Sequence, residues 1–270
     1  MEMKFNQILI LDSIPEGELN TAERLHAELQ DRAQLFAPAP APLYLKIASG
    51  RDFLACLDHL ARAVEETGNY PILHIECHGG DEGLQFADGS RLFWEEMKPG
   101  LVRLNVAMKL NLLVVVAACD GSAITYTVNP QDRAPFWGLI GPLRQMLPLE
   151  LEGPLLEFYG TLMRTHSARA AMAALHAALP DTYVFRASQW LFQYVWDNYQ
   201  STHESPEARM RRAAALRDRM PPSPLKPSLE QIAGLFRERN PEFFRDLRRT
   251  FFMCDLFEEH EERFQVVYER

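Results

Sequence analysis

Two short clusters in the chain carry residue types suited to nucleophilic chemistry. His78-Gly79-Gly80 closes an apolar run that starts near Tyr70, and Ala118-Cys119-Asp120-Gly121 closes another that starts near Leu110, about forty residues apart in their key side chains. A cysteine attacks a carbonyl carbon as its thiolate, so it needs a base to take its proton and donors to hold the oxyanion that forms. Cys119 and His78 supply the first pair. A glycine next to the base lets main chain approach a substrate closely, because it has no side chain in the way.

Each cluster needs an element that delivers it. The runs ending at His78 and at Cys119 are short, β-branched and bounded by glycine, as expected of strands buried on both faces of a parallel sheet. Catalytic groups in such sheets gather at the carboxyl ends of the strands, which would bring His78 and Cys119 to one edge. The rest of the pattern is consistent with that. Gln7 to Leu11 reads as a first strand ending at Asp12, and Thr21 to Leu35 as a helix stopped by the proline-rich loop at 38–42. Leu43 to Ala48 is a second strand, and Ser49 or Gly50 opens a helix with Phe53, Leu54, Leu57, Leu60 and Val64 at helical spacing. Leu92 to Lys109 reads as helical turns broken near Pro99-Gly100, before a fourth strand that ends at Cys119. A polar loop from Ser122 to Pro135 leads to a fifth strand, Phe136 to Pro142. Helices over Leu155 to Leu162 and Ala168 to Leu179, a sixth strand at Thr182 to Ala187 and a helix capped by Ser188 complete an α/β unit.

Ala118-Cys119-Asp120-Gly121, preceded by His78-Gly79 at roughly the caspase interval of about fifty residues, resembles the motif pair of the caspase-like peptidases, and within them the bacterial CHAT branch. Gly83-Leu84-Gln85-Phe86 and Asp88-Gly89-Ser90 look like the hairpin that follows the histidine in that branch. Phe158-Tyr159 and the alanine-rich stretch 168–178 resemble its segment after the fifth strand. The resemblance covers about residues 5 to 200. It implies an α/β, caspase-like three-layer sandwich around a mostly parallel six-stranded sheet over 1–200, with 201–270 a helical extension packed on it. It also implies a cysteine endopeptidase with a Cys119/His78 dyad, an oxyanion hole from the backbone N–H groups of Gly79 and Cys119, and no cofactor. Its substrate would be a protein or peptide, and the enzyme would stay inactive until a protein partner or signal arrives, as in bacterial defence. Site formation would fall to the Ser122 to Pro135 loop.

Four further residues bear on the site. Glu76 lies two positions before His78 and, if the strand continues, shares its face and could orient it. Asp120 suits a cap on the helix after Cys119, with contact to substrate as its alternative role. Relatives that cut after Arg or Lys carry an acid two residues before the nucleophile, where this chain has Ala117. That substitution implies a neutral P1 preference unless another acid reaches the pocket, with Asp12 at the end of the first strand the first suspect.

Composition narrows the classes further. A formal charge of −9 over 270 residues disfavours a nucleic-acid surface. The longest apolar run is strand-sized, and Met1 to Leu11 lacks the layout of a signal peptide, so a cytoplasmic protein with no membrane segment is expected. Cysteines 56, 77, 119 and 254 have neither CxxC spacing nor histidines at metal-ligand intervals, and no metal is expected. Beyond residue 200 the chain reads as charge-mixed helices, with a capping box at Ser228/Gln231, a new helix start at Asn240-Pro241 and an aromatic stripe through Phe243, Phe244, Leu247, Phe251 and Phe252. A competing reading is a catalytically silent caspase-like module that acts through those C-terminal helices. A small-molecule hydrolase or nucleotide-binding protein would need a G-x-S-x-G elbow, a G-x-G-x-x-G turn or a Walker lysine, and the chain has none.

Overall fold

The computed structural model describes residues 4–36, 40–223 and 225–268. The chain forms two compact units, one of 4–128 with 134–188 and the other of 129–133 with 189–268. The dividing point near Ser188 assigns the last α/β-side helix of the expected 1–200 domain to the second unit.

The first unit is built on a six-stranded sheet. Its strands are β1 (Gln7–Asp12), β2 (Ala41–Lys46), β3 (Pro71–Glu76), then, after a small hairpin of β4 (His78–Gly79), β5 (Gly83–Gln85) and β6 (Arg91–Phe93), β7 (Leu113–Ala117), β8 (Gly138–Pro142) and β9 (Tyr183–Ala187). The order across the sheet is β2-β1-β3-β7-β8-β9, parallel throughout except for antiparallel β9. β3, β7 and β8 are buried along their whole length, which explains why β7 and β8 are continuously apolar instead of alternating and why the two polar residues of β3, His74 and Glu76, are hydrogen-bonded to each other. The proline-rich turn falls partly at 37–39, outside the described residues, and β2 already begins at Ala41.

Helices fall into two groups. α1 (Thr21–Ala33) packs on α4 (Pro148–Thr165), which packs on α5 (Ala168–Ala178), while α2 (Gly50–Thr67) packs on α3 (Trp94–Ala107). This division fits a three-layer α/β/α sandwich. Asn20, Ser49 and Ser167 cap α1, α2 and α5 by accepting main-chain N–H bonds, and Gly68 ends α2 in the left-handed conformation. α3 runs unbroken through Pro99, because Met97, Leu101 and Leu104 around it are buried and tertiary packing outweighs the local cost of the proline. Between β7 and β8 the expected polar loop opens as a 3-10 helix, Gly121–Thr127, with Gly121 to Ile124 buried.

The second unit contains α6 (Ser188–His203), α7 (Pro206–Arg219), α8 (Leu229–Phe251) and α9 (His260–Arg263). Its core is aromatic: Phe192 meets Phe244, Phe251 and Phe252, and Trp196 meets Phe244 edge-on at 4.9 Å between centroids. The Ser228/Gln231 capping box forms as expected. Asn240-Pro241 does not start a new helix, since α8 continues through it with Asn240 and Phe244 buried. Among the described residues no helix is long and apolar enough to cross a membrane.

Candidate active site

The carboxyl ends of β1, β3 and β7 lie side by side, with Asp12 in register with Glu76 and Glu76 with Ala117. Register partners in a parallel sheet share a face, so these three residues form a row along the edge where the chemistry-bearing loops emerge.

After Ala117 the chain passes through buried Ala118 to half-buried Cys119, and then turns sharply. Asp120 carries the turn in the left-handed conformation at φ 53°, a region that aspartate and asparagine enter more readily than other side chains. Its carboxylate makes no capping bond to the 3-10 helix, so the cap expected of Asp120 is not formed; the left-handed backbone sets the turn instead. Gly121 is wedged under β7, where a Cβ would sit 2.7 Å from Val116 Cγ1.

His78 is not the last residue of β3. The strand stops at Glu76, and His78-Gly79 start the separate hairpin, paired with Gln85 and Leu84. This turn carries Gly79 onto the nucleophile loop: a Cβ there would lie 2.5 Å from the Cys119 carbonyl oxygen and 2.9 Å from Ala118 Cβ, with Cys119 N at 3.2 Å. Only glycine permits that approach, and it brings the two sequence motifs into main-chain contact. His78 and Cys119 line one cleft of about 110 Å³, together with Glu18, Thr21, Glu76 and Ala117.

Two contacts in the cleft were not expected from sequence. Glu18, in the loop between β1 and α1, holds His78 Nε2 at 3.0 to 3.2 Å. The Cys119 sulfur accepts the Met146 N–H at 3.3 Å, from the segment between β8 and α4. The thiol also lies 3.8 Å from the Met146 carbonyl oxygen, so the segment touches the sulfur through both main-chain groups of Met146. That segment is pinned to the nucleophile turn, because the Asp120 N–H donates to the Arg144 carbonyl and Arg144 pairs with Glu150 at 2.9 Å.

The orienting role considered for Glu76 is corrected by the same turn. With β3 ending at Glu76, the alternation that would have aligned it with His78 is broken, and its strand neighbour on the same face is His74. Glu76 is buried, accepts the Thr21 hydroxyl at 2.5 Å and lies 3.0 Å from His74 Nε2, whose Nδ1 meets the Tyr159 hydroxyl at 2.9 Å. Asp12 is also occupied. It accepts from Ile14 N at 2.9 Å, from Asn20 at 2.8 Å and from the Tyr44 hydroxyl, and it does not line the cleft. Burial and then the bond to Asp12 push the Tyr44 phenol upward.

The other thiols differ from Cys119 in exposure. Cys77 is buried, and burial followed by the charges of Glu76 and Asp12 drives its pKa well upward. Burial pushes Cys56 up to about 11. Among the described residues no group of three or more His, Cys, Asp or Glu is placed to hold a metal. Compared with models of known protein families and with curated proteins, the chain matches none.

Glu18 and Met146 lie 60 and 27 residues from their partners. The rule that sites form at the carboxyl ends of parallel strands points to the loops after β1 and β8, and those loops supply them.

Proposed function

We propose that the chain is a caspase-like cysteine peptidase with Cys119 as nucleophile and His78 as base. The observation that carries this reading is the close approach of Gly79 to the Cys119 main chain, in a cleft that His78 and Cys119 share. With Nε2 engaged by Glu18, Nδ1 is the nitrogen left to take the thiol proton. Sγ then attacks the scissile carbonyl carbon, and the Gly79 and Cys119 N–H groups hold the oxyanion. Collapse of the tetrahedral intermediate expels the amine, which receives its proton from the imidazolium. Water, deprotonated by the same imidazole, hydrolyses the thioester and restores the thiol. The hairpin after His78 and the mostly parallel six-stranded sheet are features that the CHAT resemblance implies, and they support the family reading.

A second reading is a silent module of the same fold. It is favoured by the two contacts that occupy the dyad, Met146 on the sulfur and Glu18 on the imidazole. Under the peptidase reading the same contacts describe a resting enzyme, in which a partner or substrate displaces the 143–147 segment. Reaction of Cys119 with a peptidyl acyloxymethyl ketone, followed by intact mass, separates the two. Modification of Cys119 that is lost in His78→Ala supports the peptidase, and an inert Cys119 in the wild type, with or without cell extract, supports the silent module.

A further inference from the structure

β9 ends the strand order, and its outer edge pairs with no strand among the described residues. The phase of its ladder with β8 is fixed at both ends, where the Leu143 N–H donates to the Thr182 carbonyl and the Ser188 N–H to the Trp137 carbonyl. Main-chain groups alternate in direction along a strand. Val184 and Arg186 therefore turn theirs to Gly141 and Leu139 of β8, while Tyr183 and Phe185 turn theirs off the sheet. His176 of α5 agrees with that phase, placing Nε2 3.0 Å from the Tyr183 carbonyl oxygen. The N–H and C=O of Phe185 have no such partner among the described residues. Phe185 also lines a groove of about 660 Å³ between β9 and α5, within the roughly 300–1,000 Å³ typical of ligand pockets. The groove shares no lining residue with the Cys119 cleft, so what it binds does not depend on the peptidase reading.

Trp137 and Phe185 meet at 5.7 Å between ring centroids and, with buried Met172, give the groove an apolar wall. Its charged lining is Arg169 and Arg186, with His166 and His176 beside them and neither an aspartate nor a glutamate. His166 and Arg169 are exposed, and neither side chain has a hydrogen-bond or ion-pair partner among the described residues. We propose that this groove docks the C-terminal end of a partner protein. A residue near that end donates its N–H to the Phe185 carbonyl and accepts the Phe185 N–H, a large apolar last side chain enters beside Trp137 and Met172, and Arg169 with His166 holds the terminal carboxylate. A longer added strand is blocked, because His176 already takes the Tyr183 carbonyl and β9 gives way to α6 after Ala187. One open donor and acceptor position suits a chain end, and a carboxylate matches the forked donors of an arginine.

The test mixes the immobilised full chain with a pool of random heptapeptides, prepared once with free C-terminal carboxylates and once amidated, and sequences the retained peptides by mass spectrometry. The carboxylate pool should be retained at least about tenfold better, as loss of a charge-assisted hydrogen bond implies, with phenylalanine, leucine or methionine at the last position. Arg169→Glu changes an exposed side chain away from the core and should lower that retention by a similar factor. A retained peptide, resynthesised, should slow hydrogen exchange at the Phe185 N–H of the wild-type chain and leave Gly79 and Met146 unchanged, a readout that needs no variant. Equal retention of the two pools, retention of neither, or unchanged retention in Arg169→Glu overturns the proposal. Slowed exchange at Gly79 and Met146 with none at Phe185 places the peptide in the Cys119 cleft and also overturns it. Protection of Phe185 by self-association of the chain, without peptide, does the same.

Discussion

Cys119 is distinguished from the other three thiols by access and by a main-chain donor. Cys56, Cys77 and Cys254 are buried, and burial raises the pKa of each, holding it as the neutral thiol. Iodoacetamide at neutral pH is therefore expected to modify Cys119 first, as read by peptide mass mapping; faster modification of Cys77 would contradict the site geometry. Cys119→Ala and His78→Ala should each abolish turnover and shift the thermal midpoint by only a few degrees, because neither side chain is fully buried. Glu18→Gln should act more gently. An exposed carboxylate–imidazole contact is worth about 0–1 kcal/mol, so the expected loss in kcat/KM is less than about tenfold, against near-complete loss in His78→Ala. The sequence made His78, Gly79 and Cys119 legible through short motifs at strand ends. It could not reveal Glu18, since an exposed glutamate in a loop has no local signature, and it assigned Glu76 to the wrong histidine because the end of β3 two residues earlier is invisible to an alternation rule.

At the scale of elements, the site depends on three loops meeting over the carboxyl ends of β1, β3 and β7. Gly79→Ala tests one junction. Its Cβ would press on the Cys119 carbonyl, a main-chain atom that no rotamer change can move, and overpacking of this kind costs about 1–3 kcal/mol. Urea unfolding should show that loss together with loss of activity. The 143–147 segment forms another junction through Arg144 and Glu150. The bond from Arg144, and then the Leu147 N–H, hold the Glu150 carboxyl at about 2, below its ordinary 4.5. A carboxyl held low stabilises the segment above its ordinary value, and that contribution fades as pH falls from there toward about 2. The Leu147 amide resonance should move over that window, and Arg144→Ala should shift the transition up toward the ordinary glutamate value and speed alkylation of Cys119 several-fold. An unchanged rate would show that the segment does not limit access. Elements with clear periodicity and caps, such as α2 from Gly50 and α5 from Ala168, were legible within a residue or two. Pro99 and Pro241 misled because buried neighbours on both sides carry α3 and α8 through them.

For the whole molecule, the mostly parallel sheet could be read from the alternation of apolar runs and helical patterns, while the division near Ser188 could not. Trp190, Tyr194 and Tyr199 continue the aromatic character of the preceding strand, so composition gives no break there. The second unit has its own aromatic core, and Phe244→Ala should destabilise that unit by about 3–5 kcal/mol, as a large buried aromatic does when truncated. A calorimetric scan in which both units lost stability equally would show that they unfold together. The central claim, that Cys119 with His78 cleaves peptide bonds, is tested most directly by incubating wild-type and Cys119→Ala protein in cell extract and sequencing the new protein N-termini by mass spectrometry. New termini that require intact Cys119 and vanish again in His78→Ala are the predicted result, and the same set of termini with all three proteins would contradict it.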